Sequence, residues 1–209
     1  MKILSLSDMI VQKIYSPNLK QRFPDIDLVI GCGDEPYYYL EFIVSALNVP
    51  TFFVRGNHAP TMEYSESGAR SEPHGAMNLH RKAIRCKGLL LAGVEGSLRY
   101  HPGPYQYTQS EMMKHVLSLA PALLSNRLTY GRYLDVFVSH SPPAGIHDET
   151  DLPHQGVRAF RWLINVFHPI YHIHGHIHVY RLDTVKDTFL GPTHVMNTYG
   201  YRVTQIDLM

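Results

Sequence analysis

Five short apolar runs in this chain each end in a cluster of glycine, acid, amide or histidine, and that punctuation constrains the fold more than any other feature. Residues 3–6 run into Asp8, and residues 28–30 into Gly31-Cys32-Gly33-Asp34. Residues 51–54 run into Gly56-Asn57-His58, residues 136–138 into Ser139-His140-Ser141-Pro142-Pro143, and residues 170–173 into Gly175-His176-Ile177-His178. Runs of this length bounded by turn formers read as strands. Between them lie stretches with apolar residues at helical spacing: 37–47, with Leu40, Ile43, Val44 and Leu47; 110–124; and 156–167, with Phe160, Leu163, Ile164 and Phe167. Strands alternating with helices predict an α/β chain with helices on both faces of a sheet. Ligands of such sheets bind outside the carboxyl ends of the strands, so all five polar clusters are expected along one edge.

Composition narrows what that edge does. The 209 residues, read as one domain over 1–209, are 44% hydrophobic and 18% charged, with a formal net charge of +1. A disordered chain and a bulk-charge grip on long nucleic acid are both excluded by that balance. Histidine is the surplus: 14 imidazoles stand beside 19 Lys and Arg, which invites a metal or acid/base reading. Two cysteines, Cys32 and Cys86, are too few for a disulfide framework and fit a reducing compartment. Asp8 interrupts the first apolar run before it reaches signal-peptide length, and no run approaches a membrane span. A soluble, cytoplasmic chain is expected.

Three stretches depart from the rhythm. Residues 59–82, polar and carrying Pro60, Gly68, Pro73 and Gly75, are too long for an ordinary connection and read as a functional loop or lid beside Gly56-Asn57-His58. Residues 99–107, rich in aromatics and turn formers, read either as a substrate-facing loop or as tyrosines packed over a core edge. Residues 179–208 read as short strands with turns at Asp187 and at 198–200, forming a second sheet.

Taken in order, the clusters resemble the signature of the calcineurin-like metallophosphoesterases: Asp-x-His, Gly-Asp, Gly-Asn-His, a lone His, and Gly-His-x-His. The resemblance spans nearly the whole chain, and five blocks in order, each after a strand-like run, make it specific. It implies a two-layered β-sandwich flanked by helices, four layers in the order α-β-β-α. It also implies hydrolysis of a phosphodiester or phosphomonoester by attack of a metal-bound hydroxide, with one or two divalent ions of the Mn²⁺, Fe²⁺/Fe³⁺ or Zn²⁺ kind. By position, Asp34 would bridge both ions. Asn57, His140 and His176 would complete one site, Asp8 and His178 would serve the other, and His58 would protonate the leaving oxygen or hold the phosphate. The family's Asp-x-His would place a histidine at position 10, which here is Ile10, with no donor atom for a metal. The Asp8 site is therefore expected to be the weaker. A small phosphorylated substrate is expected, with no membrane partner. The rival reading is a non-catalytic scaffold or regulatory descendant that keeps the fold and one metal.

Other candidates carry bland readings beside sharp ones. His172 and His174 read as partners that orient metal ligands or as buried strand histidines bonded to backbone. His147, Asp148 and His154 lie in a segment, 145–156, placed to overhang the site or to form a solvated loop, the latter slightly favoured. Cys32 reads as a small buried residue, Arg55 and Arg99 as bidentate holders of phosphate oxygens or, by default, as surface arginines, and Trp162 as core.

Overall fold

The computed structural model describes residues 1–65, 68–181 and 183–206, and all five strand-length runs are strands in it. The chain opens with β1 (Lys2–Ser7), a single helical turn α1 (Leu19–Arg22), β2 (Leu28–Gly31), α2 (Tyr37–Leu47) and β3 (Thr51–Phe53). A small hairpin of β4 (Glu63–Ser65) and β5 (Gly68–Arg70) follows, then β6 (Ala76–Asn78), β7 (Lys82–Cys86) and β8 (Leu89–Val94). After the short pair β9 (Ser97–Leu98) and β10 (Gln106–Tyr107) come α3 (Gln109–Tyr130), β11 (Val136–Ser139), α4 (Arg158–Phe167) and β12 (Tyr171–His174). The last strands are β13 (Asp187–Leu190), β14 (Thr193–Asn197) and β15 (Gly200–Gln205).

These form a five-stranded sheet in the order β15-β1-β2-β3-β6 and a six-stranded sheet in the order β13-β14-β12-β11-β8-β7. Period-2 alternation explains how they stack. Ile3, Leu28, Ile30, Val136, Val138, Ile173 and Met196 share one buried cluster, the seam between the sheets. The alternate residues face outward: Leu4, Leu6 and Val29 pack against Leu19, Leu40, Ile43 and Leu47 of α1 and α2. Phe137 packs against Met112, Val116 and Leu119 of α3 and Phe160 and Leu163 of α4. The result is the four-layer α-β-β-α sandwich, so each sheet carries helices on its outer face only, where alternation alone suggested one sheet covered on both. No helix among the described residues is long and apolar enough to cross a membrane.

Several local expectations change. The stretch 59–82 is not a plain loop: it holds β4, β5 and β6, the last an edge strand parallel to β3. Its residues 66 and 67 lie outside the described residues, as does Leu208. Of the tail, β13 and β14 do join the second sheet, but β15 returns to the first and pairs antiparallel with β1, Lys2 facing Gln205 and Ser7 facing Gly200. Asp187 begins a strand instead of turning one. Helix α3 runs on from Leu124 to Tyr130, fixed at its start by a Thr108–Glu111 capping box and ended by Gly131 in the left-handed region. Trp162 lies off the inward face set by Phe160, Leu163, Ile164 and Phe167, and is 36% exposed, packing edge-on against Phe167.

Candidate metal centre

The carboxyl ends of the parallel strands bring the motif residues to one edge of the sandwich, where the backbone bends sharply. Asp8, Asp34 and His176 all have left-handed φ, at 66, 65 and 68°. Such backbone is uncommon in non-glycine residues and persists where surrounding bonds over-determine it. Here Asp8 N–H donates to the Gly33 carbonyl (3.1 Å), and Gly175 N–H donates to the His140 carbonyl (3.0 Å). The motif glycines admit side chains that an extra methyl would displace. A Cβ on Gly56 would overlap the Asp34 carboxylate, and one on Gly175 would lie 2.5 Å from Ser7 Cβ and 2.8 Å from Asp8 Oδ2.

Hydrogen-bond partners fix which ring atoms face inward. His140 is fully buried, and its Nδ1 lies 2.8 Å from the Cys32 carbonyl; a carbonyl only accepts, so Nδ1 carries the hydrogen and Nε2 a lone pair. His176 Nε2 donates to the Pro153 carbonyl (2.8 Å), which leaves its Nδ1 bare. Asn57 Nδ2 donates to Tyr100 OH (3.1 Å), turning Oδ1 inward. Around His140 Nε2 stand Asp34 Oδ2, Asn57 Oδ1 and His176 Nδ1, each at 3.1 Å. Four acceptor atoms thus converge with no donor between them, an arrangement that requires a proton or a cation. Carboxylate, amide and imidazole together suit ions of the Mn²⁺, Fe or Zn²⁺ kind, so the residues present fit a metal. Burial opposes a charge on His140, but Asp34 outweighs it and raises the ring to about 9, so without a cation the inward Nε2 takes the proton and donates it to Asp34 Oδ2. Burial, then His140, holds His176 down to about 3.

The second half of the site is sparser. Asp8 receives the His176 N–H on both carboxylate oxygens (3.2 and 3.1 Å), and burial pushes its carboxyl up. His178 Nε2 lies 3.8 Å from Asp8 Oδ1, with Nδ1 held 2.7 Å from Tyr180 OH. Ligand atoms of Asp8, Asp34 and His140 all lie within 4.8 Å of one another. Ile10 is half-buried and packs against the apolar cluster under α2. His58 is exposed, and its backbone N–H donates to Asp34 Oδ1 (2.8 Å). That bond ties the Gly56-Asn57-His58 turn to the acid.

Residues outside the motifs support this edge. Glu35 is buried beneath the 31–34 turn and accepts the N–H groups of Cys32 (3.1 Å) and Gly33 (3.0 Å), with burial and then Asp8 pushing its carboxyl well up. Nothing in the sequence distinguishes it from a solvated acid after Asp34. Tyr100, within the aromatic stretch 99–107, reaches Asn57, which settles that stretch as facing the site at one residue at least. Arg55 is no surface arginine: its side chain is 13% exposed and pairs with Glu72 (2.7 Å) and Glu95 (3.4 Å), clamping the segment after β5 to the β3 turn. Arg99 is exposed and pairs with Glu111 (3.1 Å). Segment 145–156 overhangs the site, with Pro153 bonded to His176 and the His154 ring 5.3 Å from the His176 ring. Asp148 closes its base by accepting the N–H groups of Gly145 (2.9 Å) and Gly156 (3.1 Å). His172 and His174 are buried; His172 Nε2 lies 2.8 Å from Ser139 Oγ.

The calcineurin-like phosphoesterase family model matches residues 1–180. TT1561 of Thermus thermophilus is similar in structure, with a TM-score of 0.61 at 16% identity over 95% of this chain and 89% of that one. A hypothetical protein from the same organism aligns with a TM-score of 0.51 at 16% identity, over 94% of this chain and 75% of its own. At such identity these likenesses speak for the fold alone. No curated protein matches the chain in sequence.

Proposed function

The chain belongs to the calcineurin-like phosphoesterases, and on that premise we propose that it is a metal-dependent hydrolase of a small phosphodiester or phosphomonoester. The observation that carries this reading is the convergence of Asp34 Oδ2, Asn57 Oδ1, His140 Nε2 and His176 Nδ1 as bare acceptors. In the proposal Asp34 would serve both ions, Asn57, His140 and His176 would hold one, and Asp8 and His178 would hold the other. Bound divalent ions neutralise phosphate oxygens and lower the pKa of a coordinated water. The chain's own contribution is placement. Cys32 and Pro153 carbonyls hold the two imidazoles in the tautomers that leave a lone pair inward. The His58 N–H fixes the second oxygen of Asp34, and the exposed His58 ring is then at the rim to hold a phosphate oxygen or pass a proton to the leaving oxygen.

Residues 1–209 are proposed as one domain, supported by β15 closing the first sheet against β1. Two free cysteines support a reducing, cytoplasmic setting, and Mn²⁺ is the ion to try first. The packing of Ile10 favours a second reading, a scaffold with one structural metal, because the Asp8 side has one donor fewer. Hydrolysis of a chromogenic phosphodiester with Mn²⁺ added or withheld separates the two. The proposal expects Mn²⁺-dependent turnover that His58→Ala lowers by roughly 10²–10⁴ with metal content unchanged. Metal binding without turnover on diester or monoester substrates refutes it in favour of the scaffold.

A further inference from the structure

Behind the metal centre, three side chains that the proposed function does not use are joined end to end. The Thr188 hydroxyl on β13 lies 2.9 Å from His147 Nε2, and His147 Nδ1 lies 2.9 Å from His174 Nε2. His174 Nδ1 in turn lies 2.9 Å from the Gly175 carbonyl oxygen. The direction of this chain follows from its last member. A carbonyl only accepts, so His174 Nδ1 carries the hydrogen and Nε2 accepts; His147 must then donate from Nδ1 and accept at Nε2 from the Thr188 hydroxyl. A second hydrogen on His174 would set two donors against each other at His147 Nδ1, and with His147 neutral the Thr188 hydroxyl is the donor to its Nε2. Every donor therefore points toward Gly175. The Gly175 carbonyl shares its peptide plane with the His176 N–H, which donates to both oxygens of Asp8 at 3.2 and 3.1 Å.

We infer that Thr188, His147 and His174 are positioning residues that hold the Gly175–His176 peptide and, through its N–H, aim the carboxylate of Asp8. Hydrogen bonds in series polarise one another, so a donor added at Thr188 strengthens the bond that ends on Asp8. Outer partners of this kind orient the groups that ligate a metal. The backbone agrees: His147 has φ of 60°, a conformation that a non-glycine residue keeps where its surroundings hold it. The inference rests on the proposed function only in treating Asp8 as a ligand; the chain of bonds stands apart from it.

The test uses the ¹⁵N-labelled full chain without added metal. The ring nitrogen shifts of His147 and His174 report their tautomers, and hydrogen exchange of the His176 amide reports the bond to Asp8. His147→Asn keeps a residue that tolerates left-handed backbone but is too short to reach His174. Thr188→Val removes the donor at nearly constant shape, and Thr188→Ser restores it. Expected are Nδ1–H tautomers on both rings and His176 exchange faster by about threefold to tenfold in His147→Asn. A smaller rise is expected in Thr188→Val and none in Thr188→Ser. Hydrogen on Nε2 of either ring overturns the inference, as does wild-type exchange at His176 in His147→Asn. Should His147→Asn not fold, equal exchange in the Thr188→Val and Thr188→Ser chains overturns it. A parallel Mn²⁺ titration keeps the two ideas apart, since a chain that binds no Mn²⁺ but shows these amide changes refutes the metal reading and supports the positioning chain.

Discussion

Gly56→Ala isolates the role of bare backbone at the candidate metal centre. The φ of Gly56 lies outside the left-handed region, so alanine meets no backbone strain, and its cost is steric. The new Cβ would overlap the Asp34 carboxylate and lie 2.7 Å from His140 Cε1. Neither neighbour moves freely. Asp34 is held by the His58 N–H at 2.8 Å and His140 by the Cys32 carbonyl at 2.8 Å. Overpacking of about 1–3 kcal/mol, together with one compromised hydrogen bond of about 0.5–1.5 kcal/mol, predicts a destabilisation of about 1.5–4.5 kcal/mol. The displaced carboxylate belongs to the proposed ligand set, so Mn²⁺ affinity should fall with it. Gly131→Ala is the control: its φ is 75° with nothing within 4 Å of a Cβ, so backbone strain of about 1–2 kcal/mol acts far from the site. Urea unfolding and Mn²⁺ titration of both variants measure the contrast. A Gly56→Ala chain within about 0.5 kcal/mol of wild type, binding Mn²⁺ as tightly, would falsify the placement of Asp34 and its turn.

Other perturbations follow from the same geometry. Ile10→His removes an apolar side chain from the cluster under α2 and should cost about 1–3 kcal/mol equally with and without Mn²⁺; a metal-dependent gain in Tm would instead put position 10 at the site. Asp34→Ala should lose metal and turnover together, whereas His58→Ala should lose turnover alone; metal analysis alongside the phosphodiester assay distinguishes them. Acid should also weaken the fold. Burial holds His80 and His172 down to about 3, below the 6.5 of an ordinary imidazole, so the unfolded chain takes up the extra protons. Stability should then fall as pH drops below 6.5, by up to about 1.4 kcal/mol per pH unit for each ring. Urea midpoints that stay flat between pH 6.5 and 5 would contradict neutral burial of these histidines.

The candidate site is legible because residue types suited to a metal stand at the ends of strand-length runs. Asp8, Asp34, Asn57, His58, His140, His176 and His178 all stand there, and α2 begins and ends where its apolar spacing placed it. What stayed hidden was long-range pairing. The run Leu89–Val94 forms β8 beside β11, yet it ends in Glu95-Gly96 with no motif to mark it. The return of β15 to β1 was equally unmarked, because Ser5, Arg202 and Thr204 give no signal of which sheet they join. Arg55 and Glu35 look solvated in sequence; only the fold reveals that one is paired among Glu72 and Glu95 and the other caps a turn from below. Ile10 is tied to the site in sequence only through its place in a motif, and its packing against the cluster under α2 carries no sequence signal of its own.

Anomalous diffraction from crystals equilibrated with limiting Mn²⁺ locates the first ion bound. A first peak is expected about 2.0–2.3 Å from His140 Nε2, His176 Nδ1, Asn57 Oδ1 and Asp34 Oδ2, with a second beside Asp8 and His178 only as Mn²⁺ rises. A first peak at the Glu149, Asp151 and His154 group, or none within reach of His140 at saturating Mn²⁺, would contradict the proposed centre.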